Sequence, residues 1–72
     1  MSTLEEKVRN FLLNNWDVTF DNLVKEIDAA ENDFPEVNRV IEKMLEEGVI
    51  IKGSYPNNGK YVTEYSPVEE AV

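Results

Sequence analysis

The sequence contains no cysteine and no histidine. That pair of absences removes disulfides, thiol chemistry, zinc held by cysteine or histidine, imidazole acid–base catalysis and histidine-based pH sensing together. Positive charge is also scarce: seven lysines and arginines face fifteen aspartates and glutamates, a net charge of −8. Such a surface opposes close approach to nucleic-acid phosphates or anionic lipid. No apolar run approaches the roughly 18 residues of a membrane span, and residues 1–6 lack the basic and apolar regions of a signal peptide. The expected location is therefore cytoplasmic, with no membrane contact. What is present is a mixture of 42% apolar and 31% charged residues, the composition of a folded domain and not of a disordered tract. Seventy-two residues make one small domain, which buries only about 60 to 65% of the surface its unfolded chain exposes.

Hydrophobic spacing places the elements. Leu4, Val8, Phe11 and Leu12 share one face of a first helix, and Thr3 with Glu6 has the form of a capping box at its start. Asn14 and Asn15 favour an exit, after which Trp16 and Val18 alternate as in a short strand. Thr19 caps a second helix with Phe20, Leu23, Val24 and Ile27 in one stripe, fading near Ala30. Asp33 with Glu36 forms a second capping box, opening a third helix at Phe34. Val37, Val40, Ile41, Met44 and Leu45 carry that helix to Glu47, and Gly48 stands where a left-handed terminus is wanted. Val49, Ile50 and Ile51 are strand-like, Tyr55 to Gly59 is rich in turn residues, and Tyr61, Val62 and Thr63 return as a second strand. The expected architecture is α+β: a three-helix bundle with a C-terminal β-hairpin, in the order helix, strand, helix, helix, strand, strand. Residues 1–65 form the domain, and 66–72 are expected to be a flexible acidic tail.

This order resembles a winged helix-turn-helix domain. The resemblance is carried by Thr19-Phe20-Asp21-Asn22-Leu23 opening helix 2, by the stretch from Val40 through Gly48 to Ile50 joining helix 3 to the hairpin, and by Lys60-Tyr61-Val62 returning from it. Within that superfamily the chain is similar to the small acidic stand-alone proteins associated with dissimilatory sulfite reductase, which implies a role in regulating that enzyme. It also resembles the C-terminal winged domains of the replication protein A middle subunit and of archaeal minichromosome maintenance helicases, which implies protein contact. A shared fold identifies no function by itself.

In winged-helix DNA binders helix 3 enters the major groove and the wing touches phosphates. Here the outward face of helix 3 presents Glu36, Asn38, Arg39, Glu42, Lys43, Glu46 and Glu47, more acid than base. Arg39, Lys43, Lys52 and Lys60 would form one modest basic patch, and four phosphate contacts would give a log-log salt slope of roughly −3.6. On the opposing reading Arg39 and Lys43 pair with the glutamates of the same helix face. The partner-binding surface, for protein or DNA, is assigned to Asn38, Arg39, Glu42, Lys43 and Glu46 of helix 3 with Lys52, Tyr55, Lys60 and Tyr61 of the hairpin. Trp16, Phe11, Phe20 and Phe34 are expected in the core, and one or two of the three tyrosines at the hairpin are expected on the surface. Val49, Ile50 and Ile51 cannot all be buried in so small a domain.

Catalysis has no candidate residues. Adjacent pairs such as Glu5 and Glu6, or Glu46 and Glu47, point about 100° apart on a helix and do not converge on a substrate. No phosphate-cradling glycine loop or nucleophile motif occurs, and Asp28, Glu31 and Asp33 are too sparse for a carboxylate metal site. No cofactor, metal or small-molecule substrate is expected. The leading expectation is a non-enzymatic regulator or adaptor acting on a protein partner, as monomer or homodimer. The rivals are a small, dimeric, sequence-specific DNA-binding regulator and a DNA mimic that blocks a basic partner.

Overall fold

The computed structural model describes residues 3–68. Thr3 caps helix α1 (Leu4–Asn14), its hydroxyl accepting from the Glu6 amide at 3.1 Å. Strand β1 (Val18–Thr19) runs directly into α2 (Phe20–Glu26), where Thr19 is both the last strand residue and the cap that accepts from the Asn22 amide at 3.2 Å. A 3₁₀ turn (Glu31–Asp33) leads into α3 (Phe34–Glu47), followed by β2 (Ile50–Asn57) and β3 (Lys60–Pro67). The three strands form one antiparallel sheet in the order β1-β3-β2. The expected element order and α+β class are those of the structure.

Two helix ends carry the same device. At α3 the Gly48 and Val49 amides donate back to the Leu45 and Met44 carbonyls, with Gly48 at φ +77°. At α2 the Asp28 and Ala29 amides donate to Lys25 and Val24, with Asp28 at φ +56°. Both are Schellman ends, and aspartate serves at the second where glycine is usual. The second helix therefore stops at Glu26 and does not reach Ala30. The start of α3 also differs from the expectation. Asp33 makes no cap bond to that helix; its carboxylate accepts from the Ala30 amide at 3.3 Å and closes the 3₁₀ turn, while Glu36 pairs with Arg39.

The core lies where the helices meet the sheet. Val8 and Leu12 of α1, Leu23, Val24 and Ile27 of the second helix region, Val37, Val40, Ile41 and Met44 of α3, Val18 of β1 and Ile50 of β2 are all buried. Phe11, Phe20, Phe34, Leu45 and Tyr65 pack around this cluster, with Phe20 and Phe34 meeting edge to face at 5.3 Å between ring centres. Trp16 corrects the aromatic reading: it is 55% exposed, because the chain leaves α1 through an extended Asn15 and a left-handed Asp17.

The hairpin is longer than its apolar residues suggest. Only Asn58 and Gly59 turn, at φ +51° and +80°, while Tyr55, Pro56 and Asn57 belong to β2. An Asn-Gly pair with both φ positive matches the right-handed twist of the strands it joins. Eight facing pairs run from Asn57↔Lys60 to Ile50↔Pro67. The strand includes Ser66 and Pro67, the first two residues of the expected tail, since Ser66 pairs with Ile51 and its hydroxyl accepts from the Asp17 amide at 2.9 Å. Residues 69–72 of that tail lie outside the described residues.

Candidate functional site

Spacing on α3 sends Asn38, Arg39, Glu42, Lys43 and Glu46 outward, and all five are exposed. Their electrostatics are set by neighbours. Arg39 makes a two-pronged contact with Glu36, one turn earlier on the same helix. Lys43 reaches across to α1, where its Nζ lies 3.4 Å from a Glu5 carboxylate oxygen. The same oxygen accepts from the Arg9 Nε at 3.0 Å, and the rest of the Arg9 guanidinium donates two 2.9 Å bonds to Glu47 at the end of α3. Both cations of the outward face are thus engaged by carboxylates, and Glu42 and Glu46 have no cation within 4.0 Å among the described residues. Arg9 and then Lys43 hold the Glu5 carboxyl below the usual carboxylate range, and Arg39 does the same for Glu36.

On the hairpin the strand alternation separates the predicted residues. Lys52 and Tyr61 share the face that also carries the buried Ile50, whereas Tyr55 and Lys60 share the opposite, outer face. The four cations Arg39, Lys43, Lys52 and Lys60 therefore do not share one face, as the basic-patch alternative requires. Two are paired on or next to α3, and the other two point to opposite sides of the hairpin. Tyr61 is 80% exposed, while Tyr65 is half-buried on the inner face, where burial and the charge of Glu42 push its phenol up. Tyr65 packs against the core cluster that α3 helps to form.

The outer sheet face joins Tyr55, already expected at the partner surface, to Asp17, Ile51, Gly53, Glu64 and Ser66, which were not. Ile51 is 58% exposed there, directly after the buried Ile50. Gly53 faces Glu64 across the strands, and the Tyr55 hydroxyl donates to the Glu64 carboxylate at 3.2 Å. Ser66 and Asp17 close the group, the serine hydroxyl donating to the Asp17 carboxylate at 3.3 Å. Burial, followed by the nearby charges of Glu64 and Asp17, pushes the Tyr55 phenol up. The alternation Ile51, Gly53, Tyr55 was visible in the sequence. The approach of Asp17 was not, because β1 must pair with β3 to bring it to Ser66, 49 positions away.

Among the described residues no three carboxylates converge as metal ligands, and no helix is long and apolar enough to cross a membrane. No family model, curated protein or solved structure matches this chain.

Proposed function

We propose that this chain is a winged-helix adaptor or regulator that works in the cytoplasm by protein contact, without catalysis. The observation that supports this reading is the state of the α3 surface. In a DNA-reading domain that helix presents free cations to the groove; here Arg39 and Lys43 are held by Glu36 and Glu5, and Glu42 and Glu46 are left unpaired. Releasing Arg39 to a phosphate would bare the Glu36 carboxylate on the same helix, and releasing Lys43 would give up its pair with Glu5. The resemblance to the small acidic proteins associated with dissimilatory sulfite reductase extends the proposal to a larger enzyme as the client. In the winged-helix reading, α2 and α3 form the helix-turn-helix and β2 and β3 the wing.

The test is a titration of the purified chain against labelled duplex DNA at about 50 and about 150 mM salt, beside an affinity capture from lysate with and without nuclease. No duplex binding at the higher salt and a protein partner that survives nuclease support the proposal. Tight, sequence-selective duplex binding lost on charge reversal of Arg39 and Lys43 overturns it in favour of a DNA-binding regulator.

A further inference from the structure

The outer face of the sheet carries a notch. Its floor is Gly53, its apolar walls are Ile51 and Tyr55, Lys52 and Ser54 border it along β2, and its far side is formed by Asp17, Glu64 and Ser66. Apart from Gly53 and its two chain neighbours, no atom of the described residues lies within 4 Å of the place a Cβ on Gly53 would occupy, so the space above the glycine is open. Each carboxylate receives one hydroxyl, from Ser66 and from Tyr55, and neither has a lysine or arginine within 4.0 Å among the described residues. Lys52 borders the notch through its place in β2, but strand alternation sends its side chain to the opposite face and it pairs with neither carboxylate. Apolar walls ending at two unneutralised carboxylates match a side chain with an aliphatic stem and a cationic head.

The notch lies beside an open strand edge. Because β3 is the middle strand, β2 has no neighbouring strand on its outer side among the described residues. A two-residue turn makes Asn57↔Lys60 a hydrogen-bonded pair, so counting along the ladder turns the backbone groups of Lys52 and Ser54 toward that free edge. Pro56 has no N–H to offer and ends the usable edge near the turn. A strand added along β2 would place one residue opposite Gly53 at a non-hydrogen-bonded position. There side chains approach most closely, and on this face they lie over the notch.

We propose that β2 and the outer sheet face receive an extended segment of a protein partner, with an arginine or lysine opposite Gly53 whose cation meets Asp17 and Glu64. The proposal rests on the protein-contact reading and supplies the chemistry of its partner. Charge selects this occupant over a second copy of the chain, which would bring another −8 to the interface.

The experiment uses the full chain labelled with ¹⁵N and three blocked peptides of about eight residues, long enough to form one strand. The peptides alternate threonine and valine and differ only in a central arginine, leucine or glutamate. The arginine peptide is expected to shift the amides of Lys52, Gly53, Ser54 and Glu64 and to bind at least about fivefold more tightly than the leucine peptide, with glutamate weakest. Gly53→Val fills the notch without backbone strain, and is expected to weaken arginine-peptide binding by at least about fivefold while the melting temperature holds. Glu64→Gln and Asp17→Asn are expected to remove the preference for arginine over leucine. Equal binding of the three peptides, shifts confined to another surface, or unchanged binding by Gly53→Val overturns the proposal. Self-association abolished by Gly53→Val also overturns it, by assigning the face to a second copy. If a nuclease-resistant partner is still captured by Gly53→Val, only this surface fails; if duplex DNA is bound instead, the protein-contact reading fails with it.

Discussion

Arg9 on α1 and Glu47 in the last turn of α3 meet fork to fork, the two terminal guanidinium nitrogens each donating to one carboxylate oxygen at 2.9 Å. A glutamate at that end of a helix is opposed by the negative pole of the helix dipole. Arg9 offsets it, and its Nε holds Glu5 at the same time. This one side chain ties the start of the chain to the end of the third helix. Arg39, by contrast, bonds only to Glu36 on its own helix and is more exposed. Arg9→Met is therefore expected to lower the melting temperature by more than Arg39→Met, and the gap should narrow in high salt as the pairs are screened. Equal shifts in the two thermal melts would contradict the interhelical role.

The same pair predicts a pH dependence. Glu47 is held below its usual 4.5 by hydrogen bonding to Arg9, and Glu5 and Glu36 are lowered likewise. A carboxyl depressed in the folded state contributes stability above its unfolded pKa and loses it as pH falls through the folded value. The stability difference between wild type and Glu47→Gln should be present at neutral pH, shrink below about 4.5, and vanish once the folded carboxyl is protonated. Urea midpoints of both proteins from pH about 7 to about 3 measure it.

Neighbouring isoleucines test the register of the sheet. Ile50 is 2% exposed in the core and Ile51 is 58% exposed on the outer face. Ile50→Ala should cost about 2 to 4 kcal/mol through lost burial and the cavity left behind. Ile51→Ala should stay within about 0.5 kcal/mol. A slip of one residue in β2 would exchange the two results, as read from chemical denaturation.

The hairpin turn is sensitive for a different reason. Gly59 sits at φ +80° with open space around it, so Gly59→Ala introduces no clash but forces a left-handed alanine. The expected cost is about 1 to 2 kcal/mol. Gly53→Ala, at ordinary φ, should be neutral or slightly stabilising in the same denaturation experiment.

The charge of α3 predicts a gain of function. Replacing Glu42 and Glu46 together by lysine should create salt-sensitive binding to duplex DNA of any sequence, because four units of charge change on one exposed helix face. Fluorescence anisotropy with a labelled duplex reads the gain. No binding by the double variant at about 50 mM salt would show that this face does not meet nucleic acid even when basic.

Local chemistry determined the elements from sequence alone. Thr3 and Thr19 cap because a hydroxyl before a helix satisfies its free amides, Gly48 ends α3 because a left-handed residue is cheapest there, and the 3.6-residue stripes name the core of all three helices. These effects act within a few residues and need no partner from elsewhere in the chain. Where local signals compete they are less decisive: Asp33 had two amides to choose from and took the one behind it.

The site depended on contacts between residues far apart in the chain, and only the tertiary structure decided those. Lys43 turns to Glu5 and Glu47 to Arg9, each across 38 positions, because α1 packs on α3. Asp17 joins Glu64 at the notch because β1 pairs with β3. Sequence could count the charges, since composition carries over unchanged from chain to fold. Which charges cancel depends on distances of a few ångströms, and those are set only when the hydrophobic faces of separate elements close on one core.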